Sequence, residues 1–247
     1  MKTRLPRQPD DAPATFRTKE EYVADFLREG ILSGDIPRGT RLKQAELAAQ
    51  LELSITPVRE ALKLLAAEGY VRGTTHRGAI VTPFDVTAAA EVVELRAVLE
   101  TRLTISAMRR MTLGEMQQTE LLAQAFERAS AAGDSNAARG ANYQFHRFLF
   151  GLAEEPLTLR FVQVLWAKYP FDIIGQIPGR AVRAAKEHAR VIDAVISRNT
   201  EAAANATREH IRAGWDELNA AIAANPALVR TSPANAARRT SAGTPSE

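Results

Sequence analysis

The stretch Lys43 to Val71, KQAELAAQLELSITPVREALKLLAAEGYV, leaves few options for folding. Its first half places Leu47, Ala48 and Leu51 on one face of a short helix, with Leu53 filling a turn. So small an apolar stripe is stable only when docked on a partner. The partner follows at once: a second helix opens at Ser54 or Thr56, either of which can cap free N–H groups. Pro57 falls in its first turn, where a missing donor costs nothing. Val58, Ala61, Leu62 and Leu65 form the buried side, while Thr56, Arg59 and Lys63 face outward. A helix N-terminus that gathers backbone N–H groups, a hydroxyl and a guanidinium suits phosphates and guanine edges, the chemistry of a helix entering a major groove. Paired helices of this kind also occur in proteins that never meet nucleic acid, so the pattern alone leaves both readings open.

After Glu68-Gly69, where glycine ends the helix, Tyr70 to Thr82 alternates as two short strands around a tip of Gly, Thr and basic residues, the pattern of a wing. Upstream, Thr18-x-x-Glu21 is a capping box for a helix reaching about Ser33, and Gly34 to Gly39 turns the chain toward the helix pair. The segment from Thr18 to about Pro83 resembles the winged-helix N-terminal domain of GntR-type bacterial transcription regulators, above all in ILSGDIPRGTRLKQAELAAQLELSITPVREALKLLAAEGYV. The resemblance implies contact with an operator through Lys43, Gln44, Ser54, Thr56, Arg59 and Lys63, and through the wing residues His76, Arg77 and Gly78. Arg59 is the leading candidate for a base or phosphate contact. The family usually opens this helix Ser-Arg-Thr-Pro-Val-Arg-Glu-Ala-Leu. Here Ile55 replaces the arginine and Ala45 stands where a polar or basic residue is common, so two customary contacts are missing. His76 could equally be a solvated loop residue, and Lys63 one charge on a wet face.

In a chain of 247 residues with a formal net charge of +3, bulk charge is too weak to argue for a polyanionic partner. The expectation rests instead on where the basic groups sit. There is no cysteine, hence no disulfide, thiolate metal site or cysteine nucleophile, and a reducing cytoplasm is the expected location. The chain has no signal-like apolar run and no stretch of about 18 apolar residues, which argues against a spanning helix. Residues 1–16 and 226–247 lack periodicity and read as disordered tails. That leaves a winged helix-turn-helix domain over 17–83 and an effector domain over 84–225.

The second domain reads as wholly helical, with helices near 87–110, 113–131, 134–153, 156–168, 181–198 and 201–224. Short polar breaks between them imply an antiparallel bundle, so the fold class is mainly α. Pro170, Gly175, Pro178 and Gly179 mark a kink or loop between Tyr169 and Gly179. His146, His188 and His210 fall on three separate helices, and Asn142 precedes His146 by one turn. Imidazoles converging in a bundle suit a divalent ion, zinc first with nickel or manganese as alternatives, and leave positions for an outside ligand. Each histidine could equally be an ordinary core or surface residue.

ELRAVLE, NYQFHRFLF, EHARVIDAV and REHIRAGW resemble successive helices of the FCD domain, the effector domain of FadR-type regulators, from about Thr87 to Ala224. The resemblance implies metal ligands at Asn142, His146, His188 and His210. Aspartate is commoner at the first position. Asparagine, a neutral donor, lowers metal affinity but leaves more positive charge for an incoming carboxylate. A small carboxylate metabolite is thus the implied effector. Arg96 either pairs with it or forms a surface ion pair with Glu100. The resulting expectation is a homodimer reading a near-palindromic operator, its affinity shifted by the effector. Two rivals are a bundle metalloenzyme tethered to a winged helix and a regulator with a purely structural ion. Against the enzyme, Glu187 and Glu209 adjoin His188 and His210 in sequence and are expected to point away from the metal, leaving no base.

Overall fold

The Thr18 side chain accepts a hydrogen bond from the Glu21 N–H while the Glu21 carboxylate accepts one from the Thr18 N–H. The helix so capped, α1 (Lys19–Ser33), runs until Gly34 ends it at φ +83°. A computed structural model describes residues 18–75 and 78–230. The wing-tip contacts expected at His76 and Arg77, and the expected tails except 226–230, lie outside these residues.

The helix pair forms as α2 (Gln44–Gln50) and α3 (Ile55–Ala67), and Leu47, Ala48, Leu51, Val58, Ala61, Leu62 and Leu65 are all buried. Ser54 occupies the N-cap of α3 but its side chain makes no capping hydrogen bond, and Thr56 lies inside the first turn. The capping expected of either residue is therefore not made, and the α3 N-terminus keeps free donors. The wing is β2 (Val71–Thr75) paired antiparallel with β3 (Gly78–Val81). A strand the sequence did not announce, β1 (Arg41–Leu42), adds to the other edge of β3 and gives the order β1-β3-β2. A buried pair of hydrogen bonds from Arg28 to Glu68, at 2.7 and 2.8 Å, ties α1 to the end of α3.

After a 3-10 turn at Val86–Ala88 the chain is helical: α4 (Ala89–Arg110), α5 (Leu113–Ala131), α6 (Ser135–Gly151), α7 (Pro156–Lys168), α8 (Phe171–Ile174), α9 (Arg180–Ile196) and α10 (Thr200–Ala224). Consecutive long helices α5 and α6, and α9 and α10, pack on each other, as short connections require, while α4 packs along α10 and α7. The interruption expected at Tyr169 to Gly179 contains the single-turn α8. A short helix, α11 (Ala227–Arg230), falls in the stretch expected to lack structure. One apolar cluster joins Val23, Leu27 and Ile31 of α1 to Phe145 and Leu149 of α6 and Val191 of α9, so the two sequence segments share a core. Among the described residues no helix is long and apolar enough to cross a membrane.

Candidate functional site

On the winged helix, the exposed rim of α3 carries Ser54, Thr56, Arg59 and Lys63, with Lys43 exposed just ahead of α2. The Arg59 side chain is 42% exposed and, with Lys63, is held in place by Glu60 at 3.3 and 3.0 Å. Gln44 departs from expectation. It is only 7% exposed at the first position of α2 rather than open to solvent. Gly78 is required by the sheet. It sits at φ +112°, and a Cβ there would lie 1.9 Å from the Leu42 carbonyl oxygen, so β1 and β3 approach closely only because no side chain intervenes.

The three bundle histidines come together. His146 on α6, His188 on α9 and His210 on α10 are buried, and their candidate ligand nitrogens all lie within 4.8 Å of one another. Ring centroids stand 5.0 Å apart for His146 and His188, 4.6 Å for His188 and His210, and 5.3 Å for His146 and His210. Phe126 and Phe145 close over His188 at 4.7 and 4.6 Å. His188 has no hydrogen-bond partner at either ring nitrogen, and neither does Nδ1 of His146. Burial holds the pKa of His146 and His188 well below the ordinary imidazole value and lowers that of His210, so all three are neutral near pH 7. Neutral, unpartnered, converging nitrogens are what a metal requires of imidazole.

His210 is oriented from outside the cluster. Its Nδ1 lies 2.7 Å from a Glu187 carboxylate oxygen, and that carboxylate also takes two bonds from Arg180, both at 2.7 Å. Burial alone would raise the Glu187 carboxyl. The hydrogen bonds from His210 and Arg180 outweigh it and hold the group at about 2. An ionised Glu187 fixes the proton of His210 on Nδ1 and leaves Nε2 as the lone-pair nitrogen. Glu187 thus grips the ligand candidate of the neighbouring helix from behind, a role its place beside His188 in the sequence does not announce. Glu209 does point outward, to Arg190.

A cavity of about 90 Å³ opens beside the cluster, lined by His146 and His210 and also by Asn142, Arg96, Tyr169 and Arg180. Asn142 is half-buried on the same face of α6 as His146. Arg96 does pair with Glu100, its Nε 2.6 Å from the carboxylate, but the pair is buried rather than on the surface, with Arg96 3% exposed. Trp166 donates to the same Glu100 at 2.9 Å, and the Arg96 guanidinium lies over Tyr169 at 4.2 Å.

Residues 19–81 match the family model of bacterial regulatory proteins of the gntR family, and residues 91–213 match the FCD domain. The chain belongs to the GntR family, with an FCD domain. Among its relatives, a probable D-xylose utilization operon transcriptional repressor of Paenarthrobacter nicotinovorans is 28% identical over 81% of this chain and 88% of its own length. The gluconate operon transcriptional repressor of Bacillus subtilis is 43% identical over 32% of each chain. In fold, E. coli McbR/YncC superposes with a TM-score of 0.72 at 21% identity, covering 83% of this chain and 98% of that one. This GntR-family protein is a DNA-binding transcriptional regulator, and its named relatives are regulators rather than enzymes.

Sequence reasoning about this regulator missed the groups that support its histidines. Arg180 and Trp166 carried no local signal, and the grip of Glu187 on His210 and the burial of Glu100 under Trp166 depend on how α9 turns against α10 and how α7 sits against α4. The local hint is an acid one residue from a candidate ligand, Glu187 beside His188.

Proposed function

We propose that this regulator binds a near-palindromic operator as a homodimer, and that a small carboxylate metabolite entering the bundle cavity alters that binding. In this reading a divalent cation, zinc in the first instance, is held by His146, His188 and His210 with Asn142 as the neutral oxygen donor. When bound, such an ion supplies a Lewis-acidic anchor for an anionic ligand. The observation that supports the reading best is the meeting of three neutral imidazoles, two with orphaned nitrogens, at the wall of a cavity that also receives Asn142 and Arg96. Arg96, paired with Glu100 and stacked on Tyr169, lines the same cavity and is placed to donate a hydrogen bond to the ligand.

Linkage supplies the mechanism. The effector changes operator affinity only as far as it prefers one arrangement of the two winged helices over the other. Symmetry of the two readers would be copied in two half-sites about one helical turn apart. The test is direct. His146→Ala combined with His188→Ala is expected to abolish stoichiometric metal by elemental analysis and to remove the response of gel-shift affinity to a panel of hydroxy and sugar acids, while basal operator binding persists. Unchanged metal content in the double variant would reject these ligands. Turnover of any panel acid would favour an enzyme instead.

A further inference from the structure

Three arginines line the cavity, and they are not equivalent. Arg96 is paired with Glu100 and Arg180 with Glu187, so neither offers an uncompensated charge. Arg139 is different. Its guanidinium donates from Nε to the Ser33 carbonyl oxygen and from an Nη to the Asn136 side-chain oxygen, both neutral acceptors, and among the described residues it has no ion pair. It is threaded between two glycines. A Cβ on Gly175 would meet its Nη1 at 2.7 Å, and a Cβ on Gly34 would meet its Nη2 at 3.1 Å. This cation is therefore packed against the cavity wall rather than left to wave in solvent, and burial lowers its pKa because the nearest carboxylates only partly compensate.

Arg139, Asn142 and His146 follow one another on the same face of α6, and all three line the cavity. The two ends of this row are about 10 Å apart along the helix axis. The lining around this row also includes the apolar Ala138, Phe126 and Ile174. A ligand that places one carboxylate at the imidazole end and fills the middle with methylenes would bring its far end to Arg139. We infer that the effector is a dicarboxylate, its second carboxylate bound by Arg139 as the partner that guanidinium lacks. The inference rests on the reading of the imidazole end as a carboxylate anchor and adds a requirement that reading does not contain.

Adipate and hexanoate separate the two. They share a chain length and differ only in the second carboxylate. With full-length, zinc-loaded protein, calorimetry is expected to show adipate binding at least about 10-fold more tightly than hexanoate, the yield of one charge-assisted pair. Arg139→Gln, which retains a donor for Ser33, is expected to bring adipate down to the hexanoate level and leave hexanoate affinity within about twofold, which also reports an intact cavity. Equal binding of the two acids by the parent protein, or an adipate preference that survives in Arg139→Gln, overturns the second-anion assignment while leaving the carboxylate anchor standing. Binding of neither acid overturns both.

Discussion

Arg59 shows how much one side chain can be asked to do. It stands on the exposed rim of α3 with Glu60 as its local partner, and Lys63 shares that carboxylate. Such exposed pairs are worth little, so a phosphate or a guanine edge displaces Glu60 without large cost. Arg59→Ala is expected to weaken operator binding by about 1 to 3 kcal/mol with no change in thermal unfolding. Equal gel-shift affinity for variant and parent would take Arg59 out of the interface. At this scale the sequence was legible where chemistry is local: the Thr18 capping box forms as written, and Arg59, Thr56 and Lys63 are exposed as their spacing demanded. It was illegible where a neighbour decides. Gln44 reads as a polar residue at a helix start yet is buried, and Arg96 reads as one half of a surface pair until Trp166, Tyr169 and Phe171 cover it.

Among the elements, α7 illustrates how a helix start is pinned. It opens at Glu155-Pro156, and Glu155 accepts from Arg102 at 2.6 Å and Ser106 at 2.6 Å on α4, and from Thr158 at 3.0 Å within its own first turn. The bonds from Arg102 and Ser106 lower its carboxyl to about 2 from an ordinary 4.5. The folded state thus binds this proton less readily than the unfolded chain. Its contribution is complete above the ordinary value of 4.5 and is lost as pH falls toward about 2. Urea midpoints for Glu155→Gln should lie below those of the parent at pH 6 and converge with them by pH 2 to 3, and a constant gap across that range would show that the carboxylate charge is not responsible. Helix boundaries at this level were readable to within a residue or two, since stripes and polar breaks are periodic signals. The two-residue β1 was not readable, because a strand so short has no period, and its place beside β3 is set by Gly78 and by the return of the chain from α1.

For the molecule as a whole, what matters is the boundary between reader and bundle, which the sequence placed near Pro83 and which packing partly erases. Arg38, in the turn after α1, donates to the carbonyls of Thr82, Ala167 and Tyr169 and pairs with Asp172 at 3.1 Å, so one guanidinium holds both segments at the edge of the cavity. Arg38→Ala removes these bonds, leaving the Tyr169 carbonyl only the Phe171 N–H, and should cost about 1 to 3 kcal/mol of stability. If this contact transmits the effector signal, basal operator affinity survives and the change on adding effector collapses in gel-shift titrations. A full response in a correctly folded variant would place the transmission elsewhere. Around the shared apolar core the junction carries further polar ties: Gln144 bonds Glu29, Arg147 pairs with Asp25, and Asn136 bonds Asp35. Ions in the buffer therefore act on this molecule twice, competing at the phosphodiester backbone and weakening the ion pairs that tie its two segments together, so a plot of log affinity against log salt should bend where a reader without such ties would give a straight line.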